Sequence, residues 1–98
     1  MIEHILLLKF SPETEDKQID ELIVRTKRLK QLIPGILDIQ QGRDFSGRNK
    51  GFQVGLTVRF QDKQSFENYG PHPEHQSVLA YCKEIGLADV IVLDFEIE

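Results

Sequence analysis

Ninety-eight residues, 40% hydrophobic and 29% charged, with a formal net charge of −4, describe an ordinary globular chain of one domain spanning residues 1–98. The acidic balance argues against a nucleic-acid partner, because phosphate binding rests on clustered Lys and Arg, and the one basic cluster (Arg25, Lys27, Arg28, Lys30) falls within a predicted helix. The lone Cys82 excludes an internal disulfide, the apolar run Ile5 to Leu8 is too short to span a bilayer, and no signal-peptide pattern surrounds it, so a cytoplasmic protein with no membrane partner is expected.

The first element, Ile2 to Phe10, reads as a strand with Ile2, His4, Leu6, Leu8 and Phe10 on one face and Glu3, Ile5, Leu7 and Lys9 on the other. Ser11-Pro12-Glu13 carries helix-start chemistry: a capping hydroxyl, a preset φ and an acid at the positive helix end. The helix that follows spaces Ile19, Leu22, Ile23, Leu29, Leu32 and Ile33 on one side, and Pro34-Gly35 stops it. A second strand is predicted from about Ile36 to Arg43, with Gly42 suggesting a bulge. After the polar turn Gly47 to Gly51, a third strand alternates clearly, with Phe52, Val54, Leu56, Val58 and Phe60 on one face. A short helix spans Lys63 to Tyr69 and is broken at Gly70-Pro71. Another helix runs from Pro73 or Glu74 to about Ile85, with Val78, Leu79 and Cys82 inward, and Gly86 ends it. The last strand, Ala88 to Ile97, sets Ile91, Leu93, Phe95 and Ile97 against Val90, Val92, Asp94 and Glu96.

The order β-α-β-β-α-β predicts an α+β, ferredoxin-like fold with a four-stranded antiparallel sheet. One helix layer covers one sheet face. The other, expected to carry Ile5, Leu7, Val90 and Val92, would be left partly bare, and two copies packing these faces would form a homodimeric α/β barrel. A chain this short buries only about 60–65% of its unfolded surface, so such burial would help it.

Five segments together resemble the stress-responsive A/B barrel (Dabb) family. Glu3-His4-Ile5-Leu6-Leu7-Leu8-Lys9-Phe10 resembles its H-x-V-x-x-K-F first strand, and Ile33-Pro34-Gly35-Ile36 its I-P-G-I turn. Asn49-Lys50-Gly51-Phe52 resembles N-K-G-Y/F, Tyr69-Gly70-Pro71-His72-Pro73-Glu74-His75 resembles Y-x-x-H-P-x-H, and Val92-Leu93-Asp94-Phe95 resembles V-x-D-F/Y. The resemblance implies a homodimer whose sheets face each other. Some members are plant stress proteins without assigned chemistry. One plant branch cyclises a linear polyketide by intramolecular aldol condensation, and its histidine and tyrosine of the Y-x-x-H-P-x-H motif and its first-strand histidine correspond to His75, Tyr69 and His4. Where those cyclases carry a third-strand histidine, this chain has Val54.

The residues themselves allow two readings each. His4 is either a hydrogen-bonded core residue or a pocket-lining base. His75, near the amides that open a helix, is held neutral by the dipole and is either a general base or a tie between loop and strand. Tyr69 is either an oxyanion donor or an aromatic plug. His72, between prolines, reads as structural, and Cys82 reads as core. His72, Glu74 and His75 do not make a metal set, and no cofactor motif is present. Asp94 and Glu96 need partners if buried, and Arg43 or Arg59 could supply them. Two functions follow. The first is a homodimeric barrel with a pocket lined by Leu6, Leu8, Val54, Leu56 and Val78. It would accept a small aromatic or keto compound, with cofactor-free acid–base chemistry at His75, Tyr69 and His4. The second is a non-catalytic stress-response dimer, in which that space is filled by side chains.

Overall fold

The computed structural model describes residues 1–98. The alternation at the start of the chain builds strand β1 (Ile2–Phe10), and β3 (Val54–Phe60) and β4 (Leu87–Glu96) flank it, both antiparallel. Strand β2 (Ile36–Arg43) pairs with β3, giving the sheet order β2-β3-β1-β4 of a ferredoxin-like fold. The helices are α1 (Asp16–Leu32), the short α2 (Lys63–Tyr69) and α3 (Pro73–Glu84). They cover the sheet face that carries Ile2, Leu8, Phe10, Val54, Leu56, Val58 and Phe60, all buried. Phe60 and Val58 are 0% exposed, and burying side chains of this kind contributes about 1.5–3 kcal/mol each.

Local chemistry explains the breaks. Gly35 sits at φ +91°, in the tight Pro34-Gly35 turn, where an added Cβ would strike the Ser65 side chain. Asp62 caps α2, its carboxylate accepting from the Ser65 amide at 2.8 Å. His72 caps α3, its ring Nδ1 accepting from the Glu74 amide at 3.1 Å, with Pro73 at the first helical position.

Three expectations are corrected. Helix α1 starts at Asp16, not after Ser11. The Ser11 hydroxyl instead accepts from the Glu13 amide at 3.2 Å in a local turn, and the helix opens where Glu15 N–H donates to the Gln18 side chain at 2.9 Å. The β2 irregularity lies between Ile36 and Asp38, and Gly42 pairs regularly with Gly55. The bare face also differs from expectation on β4. Directly opposed residues share a sheet face, and β1 pairs Leu6 with Val92 and Leu8 with Val90. Val90 and Val92 therefore point to the helix side, while Ile91, Leu93 and Phe95 join Ile5 and Leu7 on the open face. Both alternating sets of β4 are apolar, so alternation alone could not decide the phase. The helix layer stops short of β4, leaving Val90 and Val92 40% and 48% exposed. No helix is long and apolar enough to cross a membrane.

Candidate functional site

On the helix-covered face, His4 lies in one cross-strand row with Val58 of β3 and Asp94 of β4. Above the row, the end of α2 supplies Phe66 and Tyr69, and the first turn of α3 supplies His75. These rings form one cluster. The His4 ring centroid is 5.9 Å from Tyr69, 5.7 Å from Phe66 and 6.3 Å from Phe60. Tyr69 lies 5.0 Å from Phe60 and 4.1 Å from His75. The three sequence-predicted polar residues, His4, Tyr69 and His75, are thus brought together.

Hydrogen bonding sets the ring tautomers. His75 Nδ1 is 2.9 Å from the Gly70 carbonyl oxygen, which can only accept, so Nδ1 carries the proton and a neutral His75 presents an open lone pair at Nε2. Burial holds the His75 pKa below its ordinary value; the Gly70 carbonyl opposes this and the other two histidines reinforce it. His4 Nδ1 bonds the Asp94 carboxylate, which likewise fixes its proton on Nδ1. Tyr69 is buried, and burial, with Cys82 nearby, pushes its phenol well above the ordinary range. It is therefore a proton donor and not a phenolate at neutral pH. Every fully enclosed side-chain polar atom has a hydrogen-bond partner. The Tyr69 hydroxyl has none within the chain, so it keeps a path to solvent. Such a set can hold a carbonyl oxygen at a phenol and receive a proton at an imidazole.

The apolar residues expected to line a pocket are divided. Leu56 packs in the core cluster that contains Tyr69, Leu8 and Val54 pack in a second one around Leu22 and Cys82, and Leu6 and Val78 touch both. Cys82 is enclosed, its thiol pushed up to about 11 by burial. A concavity of about 640 Å³ opens instead on the other side of the sheet, beneath the β2–β3 loop. No group of three or more His, Cys, Asp or Glu side chains is placed to hold a metal.

The guanidinium partners expected for Asp94 are engaged elsewhere. Arg59 bonds Glu3 at 2.7 Å, and Arg43 bonds Asp16 and Asp20 at 3.2 and 2.8 Å. His4 takes the Asp94 carboxylate because the β1–β4 register sets the two side by side. Phe66, absent from the sequence expectations, carries no signal beyond its position one turn before Tyr69's end of α2.

The sequence profile of the stress-responsive A/B barrel domain matches residues 2–97. Among curated relatives, the chain is 29% identical to olivetolic acid cyclase of Cannabis sativa over 76 residues, which is 76% of this chain and 75% of the relative. An Arabidopsis thaliana protein has the same fold at a TM-score of 0.87 with 24% identity, the match covering 100% of this chain and 96% of that one. A dimeric ferredoxin-like protein of unknown function from Thermobifida fusca follows at 0.86 with 23% identity, covering 98% and 90%.

Proposed function

The chain belongs to the stress-responsive A/B barrel family, and from that premise we propose that it acts as a homodimer catalysing cofactor-free proton transfer on a small aromatic or keto compound, in the manner of a polyketide cyclase. The observation that carries the reading is the close, tilted Tyr69–His75 ring pair, with Nδ1 of His75 tied to the Gly70 carbonyl. His75 Nε2 takes a proton from the carbon α to a substrate carbonyl. The C–H electron pair becomes the enolate double bond, and the carbonyl π pair moves to oxygen, where the Tyr69 O–H donates a hydrogen bond. The enolate carbon then attacks a second carbonyl of the same molecule, and the resulting alkoxide recovers the proton from the His75 imidazolium. No electrons leave the substrate. His4, oriented by Asp94, lies beside Tyr69 as a second polar contact. The cyclase among the relatives supports this chemistry.

The test is α-proton exchange of an aryl methyl ketone in deuterated water. The wild-type chain is expected to accelerate exchange, and Tyr69→Phe to lower the rate about 100-fold or more through loss of the oxyanion donor. Exchange at the uncatalysed rate sinks the proposal. A second reading, a non-catalytic dimer, draws on the ring cluster of His4, Phe60, Phe66 and Tyr69, which in that case serves as packed core rather than as a substrate pocket.

The homodimer rests on the open face, where Leu7, Ile91, Leu93 and Phe95 are 41–58% exposed. Leu7→Asp is expected to give a folded monomer at low micromolar concentration, because burying an unpaired carboxylate there costs several kcal/mol. A Leu7→Asp protein that sediments as a dimer would contradict the face assignment.

A further inference from the structure

Phe45 is 100% exposed, on a loop that is not loose. The Asp44 carboxylate accepts from Ser46 Oγ and the Gly47 amide, each at 2.8 Å, and from Asn49 Nδ2 at 3.1 Å. The Asp44 amide in turn donates to the Gln53 carbonyl at 2.8 Å. These bonds, the same that hold the Asp44 carboxyl below its ordinary pKa, fix the loop that presents a whole aromatic ring to water. Phe45 forms one wall of the 640 Å³ concavity, and Ile5, Leu7 and Ile91 of the open sheet face belong to its floor. Loop and sheet therefore line one concavity, in which these apolar side chains stand among polar ones such as Gln40, Arg48 and Lys50.

The surface area points to what covers it. The isolated chain exposes 6258 Å², whereas a self-contained monomer of 11.3 kDa is expected to expose roughly 5,700 Å². The excess is of the order that one partner buries in a stable dimer, roughly 800 Å². Arg59 on the face is paired within it, its guanidinium bonding Glu3 at 2.7 Å. A closed two-fold interface buries the same patch twice.

Building on the homodimer reading, we propose that the loop of residues 44–50 is the docking arm of the dimer, and that Phe45 of each protomer is its anchor, buried against the partner's open face. Each arm closes the shared concavity, so the interface is incomplete without it. Phe45 touches neither the core nor the His4–Tyr69–His75 cluster, so its replacement spares the monomer fold.

The test uses the full chain, which contains no tryptophan. Sedimentation equilibrium of wild type and Phe45→Ala is expected to show dimer dissociation constants at least about 10-fold apart, the size typical of an aromatic anchor. In parallel, Phe45→Trp is expected to show blue-shifted emission in the dimer that turns red on dilution to monomer. A wild-type dimer with Phe45→Ala equally tight, or with Phe45→Trp emission fully red, overturns the docking arm and leaves the homodimer standing. A wild-type chain that is monomeric overturns both, and the open face then serves some other occupant.

Discussion

Replacing His75 by alanine is expected to slow proton abstraction about 10²–10⁴-fold, the usual contribution of a positioned general base, while the protein stays folded. The variant loses a half-buried ring, its bond to the Gly70 carbonyl and its contact with the Tyr69 ring, together a modest part of the folding free energy. Activity and structure therefore separate in one experiment: exchange kinetics report the first, circular dichroism the second. Unchanged kinetics would remove His75 from the mechanism, and a variant that cannot fold would favour the structural reading. The pH profile adds a sign. Burial holds the His75 pKa below its ordinary 6.5, so the base form prevails at neutral pH and activity should be lost only as pH falls below that value. The same shift links to stability. The folded state resists protonation that the unfolded chain accepts, so the stabilisation is fully present above pH 6.5 and is lost as pH falls through the folded-state pKa.

Phe60→Ala carries the largest expected cost to stability, about 3–5 kcal/mol. Phe60 is 0% exposed and meets Phe66 at 5.6 Å and Tyr69 at 5.0 Å, so its removal leaves a cavity bounded by rings that cannot all relax into it. Urea denaturation at one fixed protein concentration measures it, since association would otherwise shift the midpoint. A loss under about 1 kcal/mol would mean that the ring cluster is loosely packed and able to collapse. That outcome would also favour a pocket able to admit a substrate.

Much of the architecture is legible in the residues. Val54, Leu56, Val58 and Phe60 alternate without exception, and the structure buries all four on the helix-covered face. Pro34-Gly35 and Gly86 stop helices where the chain turns. The convergence of Tyr69 and His75 follows from their closeness in sequence across the Gly70–Pro73 break, and His4 joins them because β1 is a central strand beneath that break. Where the sequence misled, a specific competitor won. Ser11 has the chemistry of a helix cap, yet the reciprocal Glu15–Gln18 arrangement lies nearer the apolar periodicity of α1 and sets its start. On β4 both sets of alternating residues are apolar, so only the pairing with β1 decides which face Ile91 and Leu93 occupy. That same register gives Asp94 to His4, a relation between residues 90 positions apart that no local pattern encodes. Phe45 drew no expectation from the sequence; only the loop fixed by Asp44 shows its ring in solvent.

The central claim is that His4, Tyr69 and His75 form one working site. The most direct measurement is an NMR titration of the three histidine rings, with and without a panel of aryl ketones, β-diketones and small phenols. The site predicts that His4 and His75 shift together on addition of one compound class, that His75 titrates below 6.5, and that His72, outside the ring cluster, is unaffected. Rings of His4 and His75 that ignore every compound in the panel would contradict the site and leave the non-catalytic dimer as the better account.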